Sequence, residues 1–142
     1  MTRFASVVIV DTRGWILLQE RDEHPVIDPE KWGFCGGHLE PDESYDDGAY
    51  RELEEETGLR LAAGDLQPVG DFTVFHEHSQ THDPFRLYAA RLHLTDDDVE
   101  CHEGRRIVFV DPEQARRLDL TAAARIALPV FLDSDLYARL SG

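Results

Sequence analysis

The sequence predicts an α/β protein built on a mixed β-sheet. Three observations carry that expectation. Short runs rich in β-branched and aromatic residues recur along the chain. Helical stretches are interleaved among them rather than gathered at one end. No linker or internal repeat divides the 142 residues, so one domain spanning 1–142 is expected.

Residues 5–10 (ASVVIV) read as a strand, 11–14 (DTRG) as a turn, and 15–19 (WILLQ) as the partner strand of a hairpin. Residues 21–31, with Pro25 and Pro29, read as a polar loop. Residues 32–34 (WGF) read as a short strand running into Gly36 and Gly37. Ser44 is a good N-cap, Asp47 stands in for the usual capping-box glutamate, and Gly58 is placed to stop a helix over 45–57. Beyond it, 66–78 and 85–94 read as strands flanking a polar loop (SQTHDP), and 105–110 as a further strand. Helices are expected from Pro112 and from about Thr121, with Pro129 kinking or ending the second.

Charge narrows the function. Asp and Glu number 29 against 14 Lys and Arg, a net charge of −15. Nucleic-acid polymers and anionic membranes need a basic footprint, so neither is an expected partner. Small phosphorylated ligands remain open, provided a metal ion or a local cation offsets the repulsion. Cys35 and Cys101 lack CxxC spacing and are expected as free thiols in a reducing cytoplasm, with one disulfide left open. No apolar run approaches the ~20 residues of a membrane span, and no apolar signal segment opens the chain. A soluble cytoplasmic protein is expected, as monomer or homodimer.

The acidic residues crowd into 36–59 (GGHLEPDESYDDGAYRELEEETGL): Glu40, Asp42, Glu43, Asp46, Asp47, Glu52, Glu54, Glu55 and Glu56. A helical residue advances about 100°, which places Glu55 near −60° and Glu56 near +40° of Glu52, with Glu54 near 200°. Ala49 and Leu53 adjoin the Glu52/Glu56 stripe, so these carboxylates should border a buried face. Three such groups raise one another's pKa, and a hard divalent cation reverses the cost. The plainer reading is a solvated face in which Arg51 offsets Glu55 at i+4.

Gly37, Glu43, Arg51, Glu52, Leu53, Glu55, Glu56, Gly58 and Leu59 fit G-x5-E-x7-R-E-U-x-E-E-x-G-U, where U is aliphatic. This resembles the Nudix box, the signature of the Nudix hydrolases. The resemblance implies an α/β/α sandwich and metal-dependent hydrolysis of a nucleoside diphosphate linked to another group, using Mg²⁺ or Mn²⁺. It implies Glu52, Glu55, Glu56 and the Gly37 carbonyl as metal ligands, with Glu52 also a candidate base. Arg51 and Glu43 become the shell that orients the carboxylates. The preferred substrate is a nucleoside triphosphate, such as an oxidised purine nucleotide of the 8-oxo-dGTP kind. Nucleotide sugars, ADP-ribose and dinucleoside polyphosphates are the alternatives, as is a catalytically silent nucleotide sensor. Cys35 departs from the family pattern, which often has proline there.

Outside the box, family members often recruit a late acidic residue as metal ligand or base, for which Glu103 is the candidate and Glu100 the competitor; a solvated loop carboxylate is the plainer reading. Arg21 and Lys31 bracket the first loop and could meet phosphates. Trp32, Phe34 and Phe75 could stack a base, although strand aromatics are more often core. His76 and His78 should share a strand face, but no second ligand pair follows, so zinc is not expected; exposed polar residues are the plainer reading and a place in a substrate pocket the alternative.

Overall fold

A computed structural model describes residues 2–142. Seven strands form one sheet: β1 (Phe4–Val10), β2 (Ile16–Glu20), β3 (Trp32–Gly33), β4 (Cys35–His38), β5 (Gln67–His76), β6 (Thr81–Arg91) and β7 (Arg106–Val110). Helices are α1 (Tyr45–Thr57), α2 (Pro112–Ala115), α3 (Ala122–Leu132) and α4 (Asp135–Ser141), with a 3₁₀ turn at Asp96–Asp98. The strand path is β3-β2-β1-β6-β5, with β7 on β2 and β4 on β1. β1 runs parallel to β6 and antiparallel to β2 and β4, so the sheet is mixed, as expected.

The apolar run of β1 explains its central place. Ala5, Val7 and Ile9 face one core with Cys35, Ala49 and Leu53, under α1. Val8 and Val10 face the other with Val74, Phe85, Ala124, Leu128 and Phe131, under α3. A strand covered on both faces reads as continuous hydrophobic sequence, because neither parity of its side chains meets water. Helices therefore cover both sides of the sheet, the sandwich expected from the sequence.

β1 and β2 pair only at Val10 and Ile16. β4 fills the space where they diverge, pairing Ala5 with Gly37 and Ser6 with Gly36. Residues 32–38 are accordingly two strands rather than one. Trp32 and Gly33 pair with β2, whereas Cys35 to His38 cross to β1.

Local signals placed α1 well. The Ser44 hydroxyl accepts from Asp47 N–H at 3.0 Å, and Gly58 ends the helix at φ +77°. Gly48 lacks a side chain because a Cβ there would lie 1.9 Å from Leu39 Cδ2. Two expectations need correction. Thr81 to Pro84 belong to β6 rather than to a loop, leaving 77–80 as the hairpin turn. α3 does not end at Pro129 but continues to Leu132, since Leu128, Phe131 and Leu132 bury themselves on both sides of the proline. Cys35 is a buried free thiol and Cys101 an exposed one. Among the described residues no helix is long and apolar enough to cross a membrane.

Candidate active site

α1 presents its carboxylates at three depths. Glu56 is only 2% exposed, the Glu52 side chain 14%, and the Glu55 side chain 58%. Glu54 turns away and pairs with Arg60 at 2.9 Å, on the side the helical angle predicts. Asp46 and Asp47 occupy the first turn, where the helix dipole favours negative charge.

Glu56 is held from two strands. Its Oε2 accepts from the Gly36 N–H at 2.6 Å, and its Oε1 from Gln19 Nε2 at 3.2 Å. Burial, and then the charge of Glu103, push its carboxyl up to about 9 despite these donors. The Glu52 carboxyl is raised as well, first by burial, with Arg51 opposing and Glu55 and Glu103 adding to the rise. Burial thus outweighs the one cation beside Glu52, and Glu56 has only neutral donors.

Arg51 ties the ensemble to the loop before the helix. Its Nε and Nη2 donate to the two Glu43 oxygens at 2.7 and 2.8 Å, a two-pronged pair. Nη1 reaches Glu52 at 2.9 Å and Glu55 at 3.2 Å, and Nη2 the His38 carbonyl at 3.0 Å. The guanidinium hydrogen bonds hold the Glu43 carboxyl down at about 2, against some desolvation. Glu43 is therefore charged in the folded state to lower pH than in the unfolded chain. The stability it contributes is present above about 4.5 and is lost as pH falls toward about 2. Glu43→Gln should cost about 1–2 kcal/mol at neutral pH. That gap from wild type should close in urea titrations as pH drops through this window.

The glycines of β4 make room for these groups. A Cβ at Gly37 would sit 2.8 Å from Glu52 Oε2, and one at Gly36 2.1 Å from the Ala5 carbonyl oxygen. Gly36 has φ +141°, a conformation that side chains other than glycine's rarely adopt.

Glu52 and Glu55 open onto a cavity of about 620 Å³ together with Gly36, Gly37 and Glu103. The cavity is also lined by Phe4, Phe34, Val74 and Phe85, with Arg21 and Asp28 contributed by the first loop. Glu103, the late-loop candidate, is brought to the cavity. Glu100 is not: its carboxylate lies behind Gly58 and faces His102. Arg21 is brought there too, with its buried Nε lacking a hydrogen-bond partner, whereas Lys31 pairs with Asp119 at 3.2 Å. Among the aromatic candidates Phe34 lines the cavity. Trp32 instead lies beneath Arg106, and Phe75 projects from β5 against His82. His78 falls beyond the end of β5 rather than on a shared strand face with His76.

Sequence reasoning missed Gln19, whose amide bridges Glu56 and the Glu103 carbonyl (2.9 Å) from a 2% exposed position. Its one signal was a polar residue closing an otherwise apolar strand. Among the described residues, three potential ligand atoms gather within 4.8 Å only at Asp22, Glu23 and His24 in the first loop. There Glu23 already pairs with His24 and Arg105, and the residues are largely exposed. The α1 carboxylates fit a hard cation better: they are oxygen donors, two of them raised by burial, beside glycines that let main chain approach.

The family model describing the NUDIX domain matches residues 2–131. The chain belongs to the Nudix family. This Nudix hydrolase is 29% identical over 126 residues to the CTP pyrophosphohydrolase of Escherichia coli (strain K12), covering 87% of each chain. It is 27% identical over 124 residues to the nucleoside triphosphatase NudI of Enterobacter sp. (strain 638), covering 83% of this chain and 88% of that one. In three dimensions it is similar to the MutT protein from Methanosarcina mazei Go1, with a TM-score of 0.73 and 24% identity. That match covers 97% of this Nudix chain and 93% of the other.

Proposed function

We propose that the protein hydrolyses a nucleoside triphosphate to the nucleoside monophosphate and pyrophosphate, with residues 1–142 acting as one domain. The observation that carries this reading is one cavity of about 620 Å³ that Glu52, Glu55 and Glu103 share with the apolar Phe4, Phe34, Val74 and Phe85. A single nucleotide needs that combination, with its anhydride at the carboxylates and its base against apolar surface. The similarity to a CTP pyrophosphohydrolase and to a nucleoside triphosphatase supports the substrate class.

Glu52, Glu55, Glu56 and the Gly37 carbonyl would hold Mg²⁺ or Mn²⁺. When bound, the ion neutralises phosphate charge and makes the attacking water more acidic. The remaining roles belong to this chain's own groups. Glu52, half-buried and with its carboxyl raised, receives the proton of the attacking water. Glu103 completes the acidic group. Arg51 fixes Glu52 and Glu55 relative to the loop through Glu43. Arg21 lines the same cavity and supplies a cation toward the triphosphate. An oxidised purine triphosphate of the 8-oxo-dGTP kind is the preferred substrate, processed in the cytoplasm.

The test is a panel of nucleoside triphosphates (8-oxo-dGTP among them), nucleotide sugars, ADP-ribose and dinucleoside polyphosphates, assayed with Mg²⁺ for released phosphate and pyrophosphate. Pyrophosphate release from triphosphates is the expected result. Turnover confined to another group reassigns the substrate, and silence throughout overturns the enzymatic reading.

A further inference from the structure

A row of rings leads away from Gly37 along the cavity. His38 directly follows Gly37 on β4, and Phe4 faces it from β1 with ring centroids 4.6 Å apart. His76, the last residue of β5, packs edge-on against Phe4 at 5.2 Å, and His78 stands 6.0 Å beyond. His76 pairs across the hairpin with Thr81, so Asp83 is its diagonal neighbour on the same sheet face.

His76 and Asp83 form a nearly buried pair, their side chains 8% and 4% exposed. His76 Nδ1 lies 2.6 Å from Asp83 Oδ2. The same carboxylate accepts from the Thr81 hydroxyl at 3.0 Å and the Thr2 N–H at 3.3 Å. Burial opposes its charge, yet the donors hold its carboxyl below the ordinary range. With Asp83 accepting a hydrogen bond from Nδ1–H, the uncharged tautomer of the ring has its lone pair on Nε2. Among the described residues Nε2 has no hydrogen-bond partner, and His76 lines the cavity. Filling this place would need only an apolar ring, so a buried imidazole fixed on one side and open on the other points to a ligand.

We propose that His76, oriented by Asp83, reads the nucleobase, its Nε2 accepting a hydrogen bond from an N–H of the base. The inference rests on the triphosphate reading above and names the part of the substrate that meets this wall. A lone-pair acceptor repels phosphate oxygens but matches an exocyclic amine or ring N–H, and the neighbouring Phe4 supplies apolar surface for the base. Asp83 is a positioning residue.

The experiment measures binding of α,β-methylene nucleoside triphosphates and of base-free ribose 5-triphosphate by calorimetry with Mg²⁺. His76→Phe should weaken nucleotide binding about 10- to 100-fold, and His76→Gln should recover part of it, since its amide reaches toward the place of Nε2. Binding of ribose 5-triphosphate should stay unchanged in both. The amide of Asp83→Asn can donate to Nδ1, which moves the ring proton to Nε2 and turns the acceptor into a donor. This variant should weaken nucleotides about tenfold, again sparing the base-free compound, and it decides the matter should His76→Phe not fold. An equal loss for ribose 5-triphosphate, or unaltered nucleotide binding, overturns the inference. Normal wild-type hydrolysis with indifferent variants overturns this inference alone. His76-dependent nucleotide binding without hydrolysis overturns the catalytic reading and leaves recognition standing.

Discussion

Glu52→Gln is expected to lower kcat for triphosphate hydrolysis by ~10²–10⁴, the range for losing a positioned proton acceptor, while the protein stays folded. The substitution removes one negative charge from a group that burial already penalises, and it keeps the shape that fills the space beside Gly37. A neutral amide can still accept from Arg51 at the position of Oε1. Loss of activity without loss of melting temperature is therefore the signature. Glu54→Gln is the matched control. It removes the same charge from the same helix, but its partner is Arg60 on the far side, and activity should change less than twofold. Steady-state kinetics on the two variants, with thermal melts alongside, provide the comparison. Wild-type turnover in Glu52→Gln would remove Glu52 from the chemistry.

Gly36→Ala is expected to destabilise the fold by roughly 3–5 kcal/mol, a large share of ordinary protein stability. The new Cβ would lie 2.1 Å from the Ala5 carbonyl oxygen and 2.8 Å from Ser6 Cα, both main-chain atoms of the central strand. A φ of +141° adds strain that no side-chain rearrangement relieves. Moving the strand would also break the 2.6 Å hydrogen bond from Gly36 to Glu56, exposing the most buried acid of the site. Gly37→Ala should behave differently. Its Cβ meets the end of the flexible Glu52 side chain, so the protein should fold and lose activity instead. Denaturant titration separates the two glycines. A fully stable Gly36→Ala would show that β4 can leave β1 without consequence.

The helix carrying the acidic residues was readable in the sequence because its determinants are local. Ser44 and Gly58 cap it, and the 100° step sorts Glu54 from Glu52, Glu55 and Glu56. The reason for Gly48 was not readable, since Leu39 meets it only after the chain turns back. Distance also hid the handover at Phe34, where pairing passes from β2 to β1. That depends on how far two other strands have splayed. Of the kink or end expected at Pro129, the end does not occur, for a related reason: apolar residues on either side bind α3 to the sheet more strongly than one missing N–H loosens it. Gln19 and Asp83 looked like ordinary polar strand or loop residues. Only sheet register brings them to Glu56 and His76.

β5 lies at the end of the strand path, and its ten residues make it long for an edge. An unpaired edge of that length is a template for pairing with another chain, and hence for aggregation. Several features blunt it. Pro68 has no N–H to offer, the register breaks between Pro68 and Gly70, and Asp71 carries charge at the surface. These irregularities lie in the first half of the strand, away from His76 at its other end. The chain can thus keep an interrupted, charged border against self-association while the remainder of the same strand stays regular enough to hold an imidazole in register.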